Sequence, residues 1–105
     1  MSELFIPDRR KNRDRRAAVR APASGAVEIF FDFPAPTVVA AELIETSISG
    51  FRAAHDSKAL EPGLEVSYQR PRASGRARVI WTHVLNGRRE SGFMVLAVVA
   101  REPVS

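Results

Sequence analysis

Hydrophobic and polar residues alternate along most of the chain after Ala21, and this period of two constrains the fold more than any other feature. In residues 26–33, Val27, Ile29, Phe31 and Phe33 fall on one face, whereas Glu28 and Asp32 fall on the other. Successive side chains of a β-strand point to opposite faces, so this pattern predicts a strand with one buried face. Five further segments read as strands: 38–44, 51–54, 64–68, 76–82 and 92–100. In residues 76–82, Trp81 shares the parity of Ala77 and Val79, which indicates a place on the apolar face.

Turn signals separate these segments at regular intervals. Pro34 and Pro36 follow the first strand, and Pro62-Gly63 suits the centre of a type II turn. Asn86-Gly87 predicts a tight hairpin turn, because both residues tolerate a positive φ. Short antiparallel strands at this spacing are typical of a barrel or a sandwich. Closure into a barrel would also remove the exposed edges.

The length and the absence of certain residues limit the range of functions. A chain of 105 residues has room for one core. It has no cysteine, which excludes disulfides and thiolate ligands. The longest apolar run, residues 93–100, is far shorter than the roughly 20 residues of a membrane-spanning helix, and we expect a soluble, cytoplasmic protein.

The excess positive charge lies at the N-terminus. Residues 1–20 contain seven basic and three acidic residues, which accounts for the whole net charge of +4, whereas residues 21–105 contain nine of each. A basic segment attached to a neutral body attracts an anionic partner to one place, although a solvated tail has the same composition. We expect residues 1–13 to be a flexible basic segment, residues 14–101 a barrel domain and residues 102–105 a tail.

The groups that an enzyme or a metal site requires are sparse. The two histidines, His55 and His83, are far apart in the sequence and have no second histidine or cysteine at ligand spacing. No nucleophile elbow, phosphate-binding loop or dinucleotide fingerprint occurs. We therefore expect a protein that is not an enzyme and that carries no metal or other cofactor.

Two short segments have the chemistry to bind a ligand. In the first, Arg16 and Arg20 are separated by three small or apolar residues, and guanidinium groups pair with phosphates and stack on bases. In the second, residues 45–50, a carboxylate can accept from the edge of a guanine, while hydroxyls and a glycine allow close backbone approach. Each pattern alone is common in turns and basic stretches.

Together, in this order, the two segments resemble the PilZ family, whose members pair Arg-x-x-x-Arg with Asp/Asn-x-Ser-x-x-Gly some twenty to thirty residues later. Here they read Arg16-Ala-Ala-Val-Arg20 and Glu45-Thr-Ser-Ile-Ser-Gly50. The resemblance continues in Leu60-Glu-Pro-Gly63, Ala77-Arg-Val-Ile-Trp81 and Gly92-Phe-Met-Val-Leu, and it covers the chain from about residue 14.

The resemblance implies a six-stranded antiparallel β-barrel that binds the bacterial second messenger cyclic di-GMP at its outer surface. Arg16 and Arg20 would hold the phosphates and guanines, Arg15 would add a further guanidinium, and Ser47 and Gly50 would line the opposite side. The N-terminal segment would fold over the ligand and pass the signal to a protein partner. Glu45 departs from the family's Asp or Asn and lengthens the side chain by one methylene, which could misplace the acceptor.

Two other functions fit the sequence. One is a PilZ-like adaptor that binds proteins and not the nucleotide, with Glu45 as the mark of a lost site. The other is a small nucleic-acid-binding barrel, which requires aromatic platforms beside basic residues. The basic cluster has no aromatic residue interleaved with it, since none occurs between Pro7 and Phe30, and we therefore expect no nucleic-acid partner.

Overall fold

The computed structural model describes residues 20–101. These residues form seven strands and no helix. The strands are β1 (Ala21–Pro22), β2 (Ala26–Phe31), β3 (Thr37–Thr46), β4 (Gly50–His55), β5 (Glu65–Arg70), β6 (Ala73–Leu85) and β7 (Arg88–Arg101). The predicted flexible segment 1–13, residues 14–19 and the tail 102–105 lie outside the described residues.

Six of the strands close into an antiparallel barrel. The order runs β3, β2, β5, β6, β7, β4, and β4 pairs back with β3. The two-residue β1 extends the sheet beside the end of β3, where Pro22 is opposite Glu45. The all-β class and the six-stranded antiparallel barrel that we predicted are confirmed.

The predicted alternation positions the core correctly in most strands. Val27, Ile29 and Phe31 of β2 are buried, as are Val66 and Tyr68 of β5. The centre is aromatic: the ring of Phe51 stacks on that of Phe93 at 4.8 Å and lies tilted 5.0 Å from that of Tyr68. Placing Phe33 on the core face was wrong, because β2 ends at Phe31 and Phe33 lies in the following loop with 80% of its surface exposed.

The hairpin turn at Asn86-Gly87 is confirmed. These residues have φ angles of 52° and 80°, and the flanking Leu85 and Arg88 are paired across β6 and β7. A two-residue loop with both φ angles positive matches the twist of the strands it joins. The long β6 and β7 therefore form one continuous hairpin, which carries much of the candidate site described below.

No helix within residues 20–101 is long and apolar enough to span a membrane.

Candidate functional site

One row of residues crosses four strands on the outer face of the barrel. Glu45 of β3 is opposite Arg52 of β4, Arg52 is opposite Gly92 of β7, and Gly92 is opposite Trp81 of β6. Residues that are directly opposite in an antiparallel sheet share a face. The row therefore brings a carboxylate, a guanidinium and an indole to the same surface.

A cavity of about 290 Å³ lies over this row. It is lined by residues of β3, β4, β6 and β7, by the turn between β3 and β4, and by Arg20: Arg20, Glu45, Thr46, Ser47, Ser49, Gly50, Phe51, Arg52, Ile80, Trp81, Gly92, Phe93 and Met94. Both sequence segments that we singled out as ligand-binding therefore contribute to one cavity.

Two β-bulges direct the side chains of this row to the outer face of the barrel. The register of β3 against β4 shifts between Leu43 and Glu45, so Ile44 is an extra residue. Leu43 is buried, and regular alternation would point Glu45 into the core beside it. A bulge re-aims the side chains that follow it, and Glu45 consequently faces the cavity.

The second bulge, at Ile80, does the same for Trp81. Val79 pairs with Phe93 inside the barrel, and the register shifts before Trp81 pairs with Gly92. Our prediction that Trp81 shares the apolar face of Ala77 and Val79 was therefore wrong. Because the bulge reverses the parity, the indole is only partly buried and lines the cavity.

Gly92 provides the space in which the indole lies. A Cβ atom added at Gly92 would overlap the Cε2 and Nε1 atoms of Trp81. The ring therefore lies across the backbone of β7, and its centroid is also 4.7 Å from that of the His83 ring. The indole thus lines the cavity on the opposite side of Gly92 from Arg52.

Glu45 is held by two arginines through different oxygens. Its Oε2 lies 3.2 Å from Nη1 of Arg20, and its Oε1 lies 3.5 Å from Nη2 of Arg52. Arg52 also reaches Oε1 of Glu90 at 3.4 Å through Nη1. The four side chains alternate in charge, Arg20, Glu45, Arg52, Glu90, and their formal charges sum to zero.

One donor of Arg52 has no partner among the described residues. Its Nε is buried and makes no hydrogen bond within residues 20–101. A buried polar group left unpaired costs about 1 to 3 kcal/mol. An acceptor atom of a ligand in the cavity would remove that penalty.

The turn between β3 and β4 is shaped by close backbone packing. The amide of Ser47 donates to the carbonyl of Gly50 at 2.9 Å, and the hydroxyls of Ser47 and Ser49 are 3.4 Å apart. A Cβ atom at Gly50 would overlap the carbonyl oxygen of Phe93. The glycine therefore has a steric role in pairing β4 with β7, besides lining the cavity.

Four of the six predicted site residues, Arg20, Glu45, Ser47 and Gly50, line this cavity. The other two, Arg15 and Arg16, lie outside the described residues. Sequence reasoning missed Arg52 and Trp81. Their presence in the site depends on cross-strand register, although Trp81 could have been noticed as the single tryptophan of the chain.

His55 has a structural position away from the cavity lining. It is buried, and its Nδ1 accepts the backbone N–H of Ser57 at 3.0 Å, so the neutral ring carries its proton on Nε2. Nε2 donates to Ser91 Oγ at 2.7 Å, and Ser91 in turn donates to Thr82 Oγ1 at 2.6 Å, because Thr82 donates to the carbonyl of Leu60. We call this chain of hydrogen bonds the His55 relay.

The direction of the His55 relay matters for chemistry. The lone pair of the imidazole faces Ser57 N–H and not Ser91, so His55 does not act as a general base toward that hydroxyl. Burial first, then the nearby Arg89 and Arg88, lower the pKa of His55 below 6.5, and Asp56 opposes them. Within the described part of the chain, no three His, Cys, Asp or Glu side chains are grouped as metal ligands would be.

No protein-family model matches the chain, and a search of curated proteins finds no sequence match.

Proposed function

We propose that the chain is a PilZ-like receptor for cyclic di-GMP, which binds at the outer cavity and brings the arginine-rich N-terminal residues onto the ligand. The observation that carries the proposal is that Arg20 and five of the six residues 45–50, distant in the sequence, line the same cavity. The ligand would order the basic segment and change the surface offered to a protein partner.

The chemistry of the lining suits a nucleotide. Arg20 and Arg52 offer guanidinium groups for phosphates, and the Nε of Arg52 has no acceptor in the part of the chain that the structure describes. Trp81 offers a face on which a base can stack, an interaction worth about 1 to 3 kcal/mol per base. At about 290 Å³ the cavity is at the small end of ligand sites, so it would take part of a dinucleotide while the rest meets the N-terminal arginines.

Titration calorimetry with cyclic di-GMP tests the proposal on the full chain. We expect binding by the native protein and a loss of at least about tenfold in Arg20→Ala, because one charge-assisted contact contributes about 1.5 to 3 kcal/mol. Arg72→Ala is the matched control, since Arg72 does not line this cavity. Equal affinities of the two variants, or no heat with the native chain, would overturn the proposal.

The second candidate is an adaptor that binds a protein and no nucleotide. The ion pairs of Glu45 favour it, because they already neutralise the guanidinium groups that a phosphate would need. Under this function cyclic di-GMP gives no heat with the native chain, with Glu45→Asp or with Glu45→Gln. Binding gained in either variant would instead identify a nucleotide site restrained by Glu45.

A further inference from the structure

We propose that Glu45 is an internal counter-ion of the cavity, which an anionic ligand must displace and which disfavours ligands with two negative charges more than ligands with one. The inference rests on the proposed function in that the ligand is an anion bound by Arg20 and Arg52. It adds a regulatory role for the residue at which the second segment departs from the Asp or Asn pattern.

The geometry of Glu45 is that of a bound anion. Each carboxylate oxygen pairs with a different guanidinium, at 3.2 Å and 3.5 Å, much as a phosphate would bridge them. Only 21% of the Glu45 side chain is exposed. The bulge at Ile44 holds the carboxylate at this surface, so the bridge is built into the sheet.

The two arginines differ in how firmly they are held. Arg52 has a second carboxylate, Glu90, and 33% of its side chain is exposed. Arg20 is 69% exposed, and Glu45 is its one ion-pair partner within residues 20–101. Exposed pairs contribute little stability, so the Arg20 contact breaks first and Arg52 stays in place.

Displacement has different consequences for different ligands. A monoanion that takes Arg20 from Glu45 replaces one ion pair by another and leaves a carboxylate beside the new anion, where like charges repel. A ligand whose two anionic groups engage Arg20 and Arg52 must break both ion pairs of Glu45, and each of its charges is repelled by the carboxylate. Glu45 should therefore reduce the affinity of dianions more than that of monoanions.

The first experiment does not depend on any nucleotide. Trp81, the single tryptophan, lines the cavity, so quenching of its fluorescence by iodide reports on access of a monoanion, and acrylamide serves as the neutral probe. In Glu45→Gln at constant ionic strength, we expect iodide quenching to rise roughly two- to fivefold with acrylamide quenching unchanged. Glu28→Gln makes the same charge change on β2, away from the cavity lining, and should alter neither probe.

An unchanged iodide constant in Glu45→Gln would overturn the inference. An equal rise with acrylamide would also overturn it, because the substitution would then have opened the cavity without acting through charge. Glu45→Asp keeps the charge on a shorter side chain, so we expect its iodide constant to lie between those of the native chain and Glu45→Gln.

The second experiment compares cyclic di-GMP, which has two phosphodiester charges, with cyclic GMP, which has one. The ratio of the affinity for cyclic di-GMP to that for cyclic GMP should rise by roughly two- to fivefold in Glu45→Gln, because the dianion is relieved of two competing ion pairs and the monoanion of one. A ratio that stays constant contradicts the selectivity. If neither nucleotide binds any variant while iodide responds as expected, the proposed function fails and the counter-ion role of Glu45 stands.

Discussion

The His55 relay predicts a clear cost for one buried hydroxyl. Ser91 is fully buried, accepts from His55 Nε2 at 2.7 Å and donates to Thr82 Oγ1 at 2.6 Å. In Ser91→Ala the Nε2–H of His55 loses its acceptor inside the barrel, whereas Thr82 keeps its bond to the carbonyl of Leu60. A buried donor left without an acceptor costs about 1 to 3 kcal/mol, so we expect the free energy of unfolding to fall by about 2 kcal/mol.

Urea unfolding followed by Trp81 fluorescence measures this change. For a small domain with a slope of about 1 to 3 kcal/mol per molar urea, 2 kcal/mol lowers the midpoint by roughly 1 M. Ser67→Ala on β5 is the control, because Ser67 is half-exposed and its hydroxyl accepts only from the exposed Arg76 within the described residues. Surface changes of this kind stay within about 0.5 kcal/mol.

A loss of 0.5 kcal/mol or less in Ser91→Ala, equal to that of Ser67→Ala, would refute the reasoning. It would mean that the imidazole finds another acceptor in the folded protein. A fall in midpoint accompanied by a changed slope would instead indicate an altered unfolded state, and the comparison would then be made by thermal unfolding.

Two further predictions concern the pH dependence of stability and the packing of the indole. Because the pKa of His55 is lowered in the folded protein, the unfolded state binds a proton first as the pH falls through 6.5, and stability should decline from there. The hydrogen bond from Arg78 lowers the pKa of Glu65 below 4.5, so the stability is measured above that pH to exclude the titration of Glu65. In His55→Gln the decline in stability should be smaller. An NMR titration midpoint of His55 at or above 6.5 in the folded protein would contradict the predicted decline. Gly92→Ala should push the Trp81 ring off the β7 backbone, shift its emission and weaken cyclic di-GMP binding by roughly tenfold, the value of a lost stacking contact. Emission and affinity equal to those of the native chain would show that the ring can relax without leaving the cavity.

The barrel could be predicted from the sequence because its causes are local. Alternation in β2 and β5 fixes which side chains are buried, and Asn86-Gly87 fixes the turn of the β6–β7 hairpin. The turn before β6 gave no such signal. Arg72 adopts a φ of 74° there, although it is not a residue that favours positive φ.

The site was only partly predictable, because two of its residues are oriented by bulges. Ile44 is the extra residue in the pairing of β3 with β4, and Ile80 is the extra residue in the pairing of β6 with β7. The sequence of one strand does not show its register against the neighbouring strand. Regular alternation consequently assigned Trp81 to the wrong face. Glu45 was named from the motif and lines the cavity, but its ion pair with Arg52 could not be foreseen without the register.

The β6–β7 hairpin also implies an order in which the two parts of the candidate site form during folding. Trp81 and Gly92 are 11 residues apart, while Arg52 and Gly92 are 40 apart. Closing the longer loop costs about 1 kcal/mol more chain entropy, and contacts that are local in sequence tend to form early in folding. We therefore expect the amides around Trp81 and Gly92 to be protected before those of β4 in pulsed hydrogen exchange during refolding, and simultaneous protection would contradict this order. The aromatic half of the candidate site would then exist on the hairpin alone, and the charged half would form only when β4 closes the barrel.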